Sequence, residues 1–89
     1  MRPDQRLETG IIMENVITLA SLPVGRGAAL ERVEPGAAAS GRLLDLGFTP
    51  GERVECLFEA PSGSPRAYLV RDTVIALRDT DAALVRLRV

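Results

Sequence analysis

The stretch 42–58, RLLDLGFTPGERVECLF, decides the fold. Arg42 to Leu46 reads as the end of a helix, with Leu43 and Leu46 three apart and therefore on one face. Gly47 follows at the position where a helix closes with a left-handed residue, a conformation glycine reaches without a Cβ clash. Phe48 comes next, placed to fold back onto Leu43. Thr49-Pro50-Gly51-Glu52 then has proline second and glycine third, the chemistry of a type II turn. From Arg53 the period changes to two: Val54, Cys56 and Phe58 share one face, and Arg53, Glu55 and Glu59 take the other. The reading is helix, stop, tight turn, half-buried strand.

At 89 residues the chain is one small domain. A domain of this size buries little more than ~60% of its unfolded surface, so its core is thin. Phe48, Phe58 and Tyr68 are the only aromatic residues, which leaves an aliphatic core and no platform for stacking on single-stranded nucleic acid. Every basic residue is arginine, and eleven of them oppose twelve acidic residues for a net charge of -1. The charges are interspersed, so the sequence carries no block for phosphate-backbone binding; a solvated, ion-paired surface is expected instead. A single cysteine excludes an internal disulfide, and Cys56 falls on the inward face of its strand as a buried thiol. No apolar run approaches the ~18–20 residues of a membrane span, and a cytoplasmic, reduced protein is the expectation.

Outward from the central stretch, residues 1–14 read as a polar tail and 15–89 as the folded domain, with Met13 an alternative start to Met1. Ile17-Thr18-Leu19 forms a short first element, and Ser21-Leu22-Pro23-Val24-Gly25 a turn. Arg26 to Val33 is a strand in which Leu30 and Val33 cannot both face inward without a bulge. The helix is expected over 37–46, with Ser40 and Gly41 weakening its middle. After the 53–59 strand, the segment from Pro61 to Pro65 is a breaker-rich hairpin loop. Arg66 to Arg71 alternates, with Ala67 and Leu69 on one side and Tyr68 and Val70 on the other. Asp72-Thr73 makes a reversal, and Val74 to Arg78 a strand with Ile75 and Leu77 inward. Asp79-Thr80-Asp81 is a capped turn, and Ala83 to Val89 closes the chain with Val85, Leu87 and Val89 aligned. Five short strands and one inserted helix predict a mainly β fold, a compact barrel.

Chemistry is sparse. With no histidine, the commonest general base and the commonest transition-metal ligand are both missing, and Ser-His-Asp or Cys-His arrangements are impossible. One cysteine gives no metal-ligand spacing. Asp79 and Asp81 are a weak hard-cation pair, paired acid–base groups or, more simply, a capped turn with solvated charges. Gly25-Arg26-Gly27 has no phosphate-loop pattern behind it and serves as a turn. No catalytic residue, metal site or cofactor is expected. Two features point to protein contact. Leu57 and Val70 fall on outward faces, with Phe48 and Tyr68 near them; the alternative is that these residues lie beneath the helix or the N-terminal segment. The second feature is the Pro61–Pro65 loop, either a recognition element or a spacer.

The order TLASLPVG, a glycine-led strand, RLLDLGFTPGERVECL, a Pro-x-Gly-x-Pro loop and VIALRDTDAALVRLRV resembles the FeoA family from about Thr18 to Val89. The most specific parts are Leu19, Leu22, Pro23, Val24 and Gly25, and the block from Leu43 through Leu46, Gly47 and Pro50 to Gly51. The segment Ala76-Leu77-Arg78 and the pair Ala82-Ala83 fit the family's closing turn and strand. The resemblance implies an SH3-like barrel of about five strands with one short inserted helix. It also implies a cytosolic accessory protein that binds the cytosolic G-domain region of FeoB, a membrane ferrous iron transporter, and modulates it by contact. Membrane association would then run through that partner, at the inner face of the cell membrane, with weak homo-oligomerisation as an accompanying expectation. Ser64 stands where the family often has aspartate, and Asp72 where it commonly has glycine, which implies an altered reversal. A barrel of this type also forms the C-terminal domain of metal-dependent repressors, so a small nucleic-acid-binding or regulatory barrel is the alternative.

Overall fold

The computed structural model describes residues 16–88. The expected tail over 1–14, its two alternative starts and Val89 lie outside the described residues. The chain forms β1 (Val16–Thr18), a 3-10 turn (Leu19–Ser21), β2 (Gly27–Val33), α1 (Ser40–Asp45), β3 (Arg53–Glu59), β4 (Arg66–Val70), β5 (Thr73–Leu77), α2 (Asp79–Ala82) and β6 (Val85–Arg88). The strands join one antiparallel sheet in the order β1-β6-β2-β3-β4-β5. The mainly β, SH3-like architecture stands, with one strand and one single-turn helix more than the sequence reading counted.

The central stretch folds much as its residues dictate. Leu46 N–H donates to Arg42, Gly47 N–H to Leu44 at 3.1 Å, and Phe48 N–H to Leu43 at 3.1 Å, the paired bonds of a Schellman closure. Gly47 supplies the left-handed residue at φ 111°. Glu52 N–H closes on the Thr49 carbonyl at 3.1 Å with Gly51 at φ 92°, the expected type II geometry. Phe48 and Leu43 are fully buried together in the core.

The helix starts at Ser40, later than expected. The Ser40 hydroxyl donates to the Glu34 carbonyl at 2.6 Å and accepts the Ala37 N–H at 3.3 Å, which fixes Ala37–Ala39 as turns despite alanine's helix propensity. The buried stripe is then Ser40, Leu43 and Gly47, at helical spacing. Leu46 is off it and 41% exposed, which corrects its expected inward position.

Two register shifts shape the barrel. Against β6, β2 slips between Leu30 and Arg32, and this lets Leu30 and Val33 both meet the core. Against β4, β3 slips between Cys56 and Phe58. The 3-10 turn after β1 packs on α2 and β6, so structure from the two edges of the sheet meets and the sheet is curled. The core holds Leu19, Leu22, Leu30, Leu43, Val54, Cys56, Leu77, Val85 and Leu87 together with the buried rings of Phe48 and Tyr68.

Candidate functional site

The slip in β3 builds the most distinctive surface. Cys56 stands opposite Tyr68, both fully buried, and Glu55 stands opposite Leu69. After the bulge Phe58 stands opposite Ala67, the neighbour of Tyr68 on the other face of β4. Phe58 therefore points outward and is 60% exposed, which corrects its expected place beside Val54 and Cys56. β5 continues the rows: Ala76 is opposite Ala67 and Val74 is opposite Leu69. Val74 is 56% exposed. Phe58 and Ala76 flank the buried Ala67 in one row, and Leu69 and Val74 form the next, so apolar side chains cluster on the outer face of β3–β4–β5. Leu57, at the bulge, is half-buried beside Phe58. Groups of exposed apolar side chains of this kind mark contact surfaces.

The other expected contact residues separate. Val70 is fully buried, not outward: it stands opposite Val54 on the inner face. Phe48 and Tyr68 are likewise fully buried and form core, not surface. Pro61 and Pro65 are exposed in the loop between β3 and β4. That loop is tied down rather than projecting: Ala60 N–H donates to the Pro65 carbonyl at 3.0 Å, Gly63 N–H to Ala60 at 2.7 Å, and Asp79 N–H to the Ser64 hydroxyl at 3.2 Å. Ser64 thus ties the loop to the start of α2. Leu22 is buried while Pro23 and Gly25 form the exposed turn that follows it; Gly25 N–H donates to the Cys56 carbonyl at 2.7 Å, docking the turn on β3.

Arg66, expected among the solvated arginines, is instead 7% exposed. Its guanidinium donates to the Ala20 carbonyl at 2.7 Å, to Leu19 at 3.4 Å and to Leu22. Its Nε lies 3.2 Å from a Glu59 carboxylate oxygen, an ion-pair distance without hydrogen-bond alignment. Tyr68 adds a hydroxyl bond to Leu19 at 3.3 Å, and Arg66 sits 5.9 Å from the Tyr68 ring centre. A charge is buried here because two carbonyls of the 3-10 turn, that of Leu22 just beyond it and a carboxylate surround it. Neighbouring titrations follow. Burial pushes the Cys56 thiol up, opposed by the charge of Arg66 and reinforced by Glu59. Burial also pushes the Tyr68 phenol up against the pull of Arg66. Both groups stay protonated at neutral pH, and Cys56 is an inert packing thiol. Alternation of polar and apolar residues gives no sign of an inward arginine at the start of β4, so the sequence reading missed it.

Asp81 is engaged by Arg42 at 3.0 Å, tying α1 to α2, so the Asp79/Asp81 segment behaves as an ion-paired helical turn. Among the described residues no three Cys, Asp or Glu side chains converge as metal ligands. No helix among them is long and apolar enough to cross a membrane. Arg32, Arg42, Arg66, Arg71, Arg86 and Arg88 all lie within 4.0 Å of a carboxylate, so the arginine-rich surface is largely self-neutralised.

Residues 17–89 match the FeoA domain. No curated protein matches the chain. Among solved structures, FeoA of Stenotrophomonas maltophilia complexed with zinc is 33% identical, with a TM-score of 0.70, over 81% of this chain and 96% of that one. Iron(II) transport protein A of Clostridium thermocellum is 31% identical, with a TM-score of 0.75, over 82% of this chain and 46% of that one. IdeR of T. acidophilum reaches a TM-score of 0.73 at 16% identity and only 37% of its own length, a likeness of fold alone.

Proposed function

The chain belongs to the FeoA family, a family associated with ferrous iron transport, and we propose that it acts there by protein contact. It binds the cytosolic region of a FeoB-type ferrous iron transporter and modulates uptake, and it works in the cytoplasm, reaching the membrane through that partner. The observation that carries this reading is the apolar outer face of β3–β4–β5, with Phe58 and Val74 more than half exposed. A small domain with a thin core gains from burying such side chains, and an apolar patch with Glu55 at its margin, opposite Leu69, matches the anatomy of a contact surface. Of the residues expected from sequence to make the contact, Leu57 adjoins Phe58 at the bulge, and Pro61 and Pro65 lie just beyond the end of β3. A weak self-association through β5, which ends the sheet among the described residues, is compatible with the same face.

Co-purification of the tagged chain with the transporter from detergent-solubilised membranes tests the reading. Recovery that is lost in Phe58→Ser and Val74→Ser supports it; recovery indifferent to both removes this face from the account. The regulatory-barrel alternative rests on the distant repressor fold alone, and the internal pairing of most arginines gives it no support.

A further inference from the structure

On the β2–β6 side of β3 the barrel carries a cleft of about 500 Å³. Ile17, Leu22 and Pro23 give it an apolar wall, and Arg26, Arg53 and Arg88 reach it from three sides. Strand register sets this arrangement. Arg53 of β3 stands opposite Ala29 of β2, and Ala29 stands opposite Arg88 of β6. A methyl side chain thus lies between two arginines on the strands that flank β2. Gly27 completes the geometry: a Cβ at that position would lie 2.8 Å from an Nη of Arg53, so the guanidinium rests across β2 only because position 27 has no side chain.

Charge sets the cleft apart from the remaining surface. Arg88 is held by Glu31 at 2.6 Å. Among the described residues, Arg26 and Arg53 have no carboxylate within ion-pair distance, and Arg78 is the one other arginine of which this is true. Two guanidinium groups that meet no carboxylate among the described residues therefore share one concavity in a protein whose net charge is -1.

We propose that this cleft binds an extended acidic segment of a partner protein. Carboxylates on that segment pair with Arg26 and Arg53, and an apolar side chain between them rests on Ile17, Leu22 and Pro23. Guanidinium groups match carboxylates two bonds at a time, and the apolar wall is used by a peptide but left wet by a bare phosphate. No aromatic side chain lines the cleft, so a nucleobase has nothing to stack on. The cleft shares no lining residue with the apolar face, and its occupancy does not depend on the transporter contact proposed above.

The test uses the full chain and a fluorescein-labelled peptide alternating glutamate with valine, followed by anisotropy. The expected result is saturable binding that weakens as salt rises and is absent for the glutamine-for-glutamate peptide. The double variant Arg26→Ser/Arg53→Ser should weaken binding about tenfold or more, as loss of charge-assisted contacts requires. Arg78→Ser removes the same charge outside the cleft and should change nothing. Gly27→Leu keeps every charge but displaces the Arg53 guanidinium, and should weaken binding while circular dichroism stays unchanged. Equal binding by the double variant, equal loss in Arg78→Ser, or binding of tripolyphosphate without binding of the peptide would overturn the proposal.

Discussion

Phe58 stands opposite Ala67 on the outer face of the β3–β4 pair, and its ring remains 60% exposed in a protein with only three aromatic residues. The other two aromatic rings are fully buried. Because Phe58 buries so little of its surface, its removal leaves the core untouched. Phe58→Ser should therefore change stability by no more than about 0.5 kcal/mol, the usual range for an exposed site. A thermal unfolding curve close to that of the parent checks this, and a large loss would place the ring in the core after all.

Arg66 is the opposite case. Removing it strands the carbonyls of Leu19, Ala20 and Leu22 and unpairs Glu59. Arg66→Ala should cost on the order of 3 kcal/mol, lowering the melting temperature by more than about 10 °C in a domain of this size. Glu59→Gln should cost well under about 1 kcal/mol, because that carboxylate is half exposed. If the two variants lost stability equally, the ion pair and not the carbonyl contacts would be the source.

The β4–β5 turn should be improvable. Val70 pairs with Thr73, leaving Arg71 and Asp72 as a two-residue loop at φ 50° and 63°. Both signs fit the mirror-image turns that suit a twisted hairpin, a conformation glycine or asparagine reaches more cheaply than arginine or aspartate. Asp72→Gly should raise the melting temperature by a few degrees, in line with a gain of about 1 kcal/mol. Gly47→Ala should do the reverse, since it forces a Cβ into the left-handed region 3.0 Å from the Arg71 side chain.

Alkaline pH should destabilise the fold in a defined direction. The Cys56 thiol is raised above its ordinary value of 9.0 and the Tyr68 phenol above 10.0, burial being the main cause of each. Their neutral forms are favoured in the folded state, so the linked stability is fully present below pH 9 and falls as the unfolded chain begins to ionise above it. Urea midpoints measured on either side of pH 9 check the sign. Replacing Cys56 by alanine should flatten the lower part of that decline.

Much of the fold is legible in residues 42–58, because helix stop, type II turn and strand period are each written in local chemistry. Glycine at 47, proline at 50 and glycine at 51 leave the backbone few choices. The contact face was only partly legible. Leu57 was expected outward and is half-buried at the bulge, whereas Val70 was expected outward and is buried. Strict alternation along β3 put Phe58 inside, and the single extra residue at the bulge put it outside. Nothing local to ECLFE announces that slip, which is set by how β3 pairs with β4. Arg66 was misread for a related reason: its partners are backbone carbonyls of the 3-10 turn at 19–21 and of Leu22 just beyond it, distant in sequence and invisible to any pattern in side-chain polarity. In α1, the helix propensity of Ala37–Ala39 gave way to two bonds made by the Ser40 hydroxyl.

The most direct test of the central claim is the yield of FeoB-type transporter recovered with the tagged chain from solubilised membranes, compared between the parent and Phe58→Ser/Val74→Ser. The account predicts recovery with the parent and its loss with the double variant, at unchanged melting temperature. Equal recovery with both would contradict the claim that the outer face of β3–β4–β5 meets the transporter.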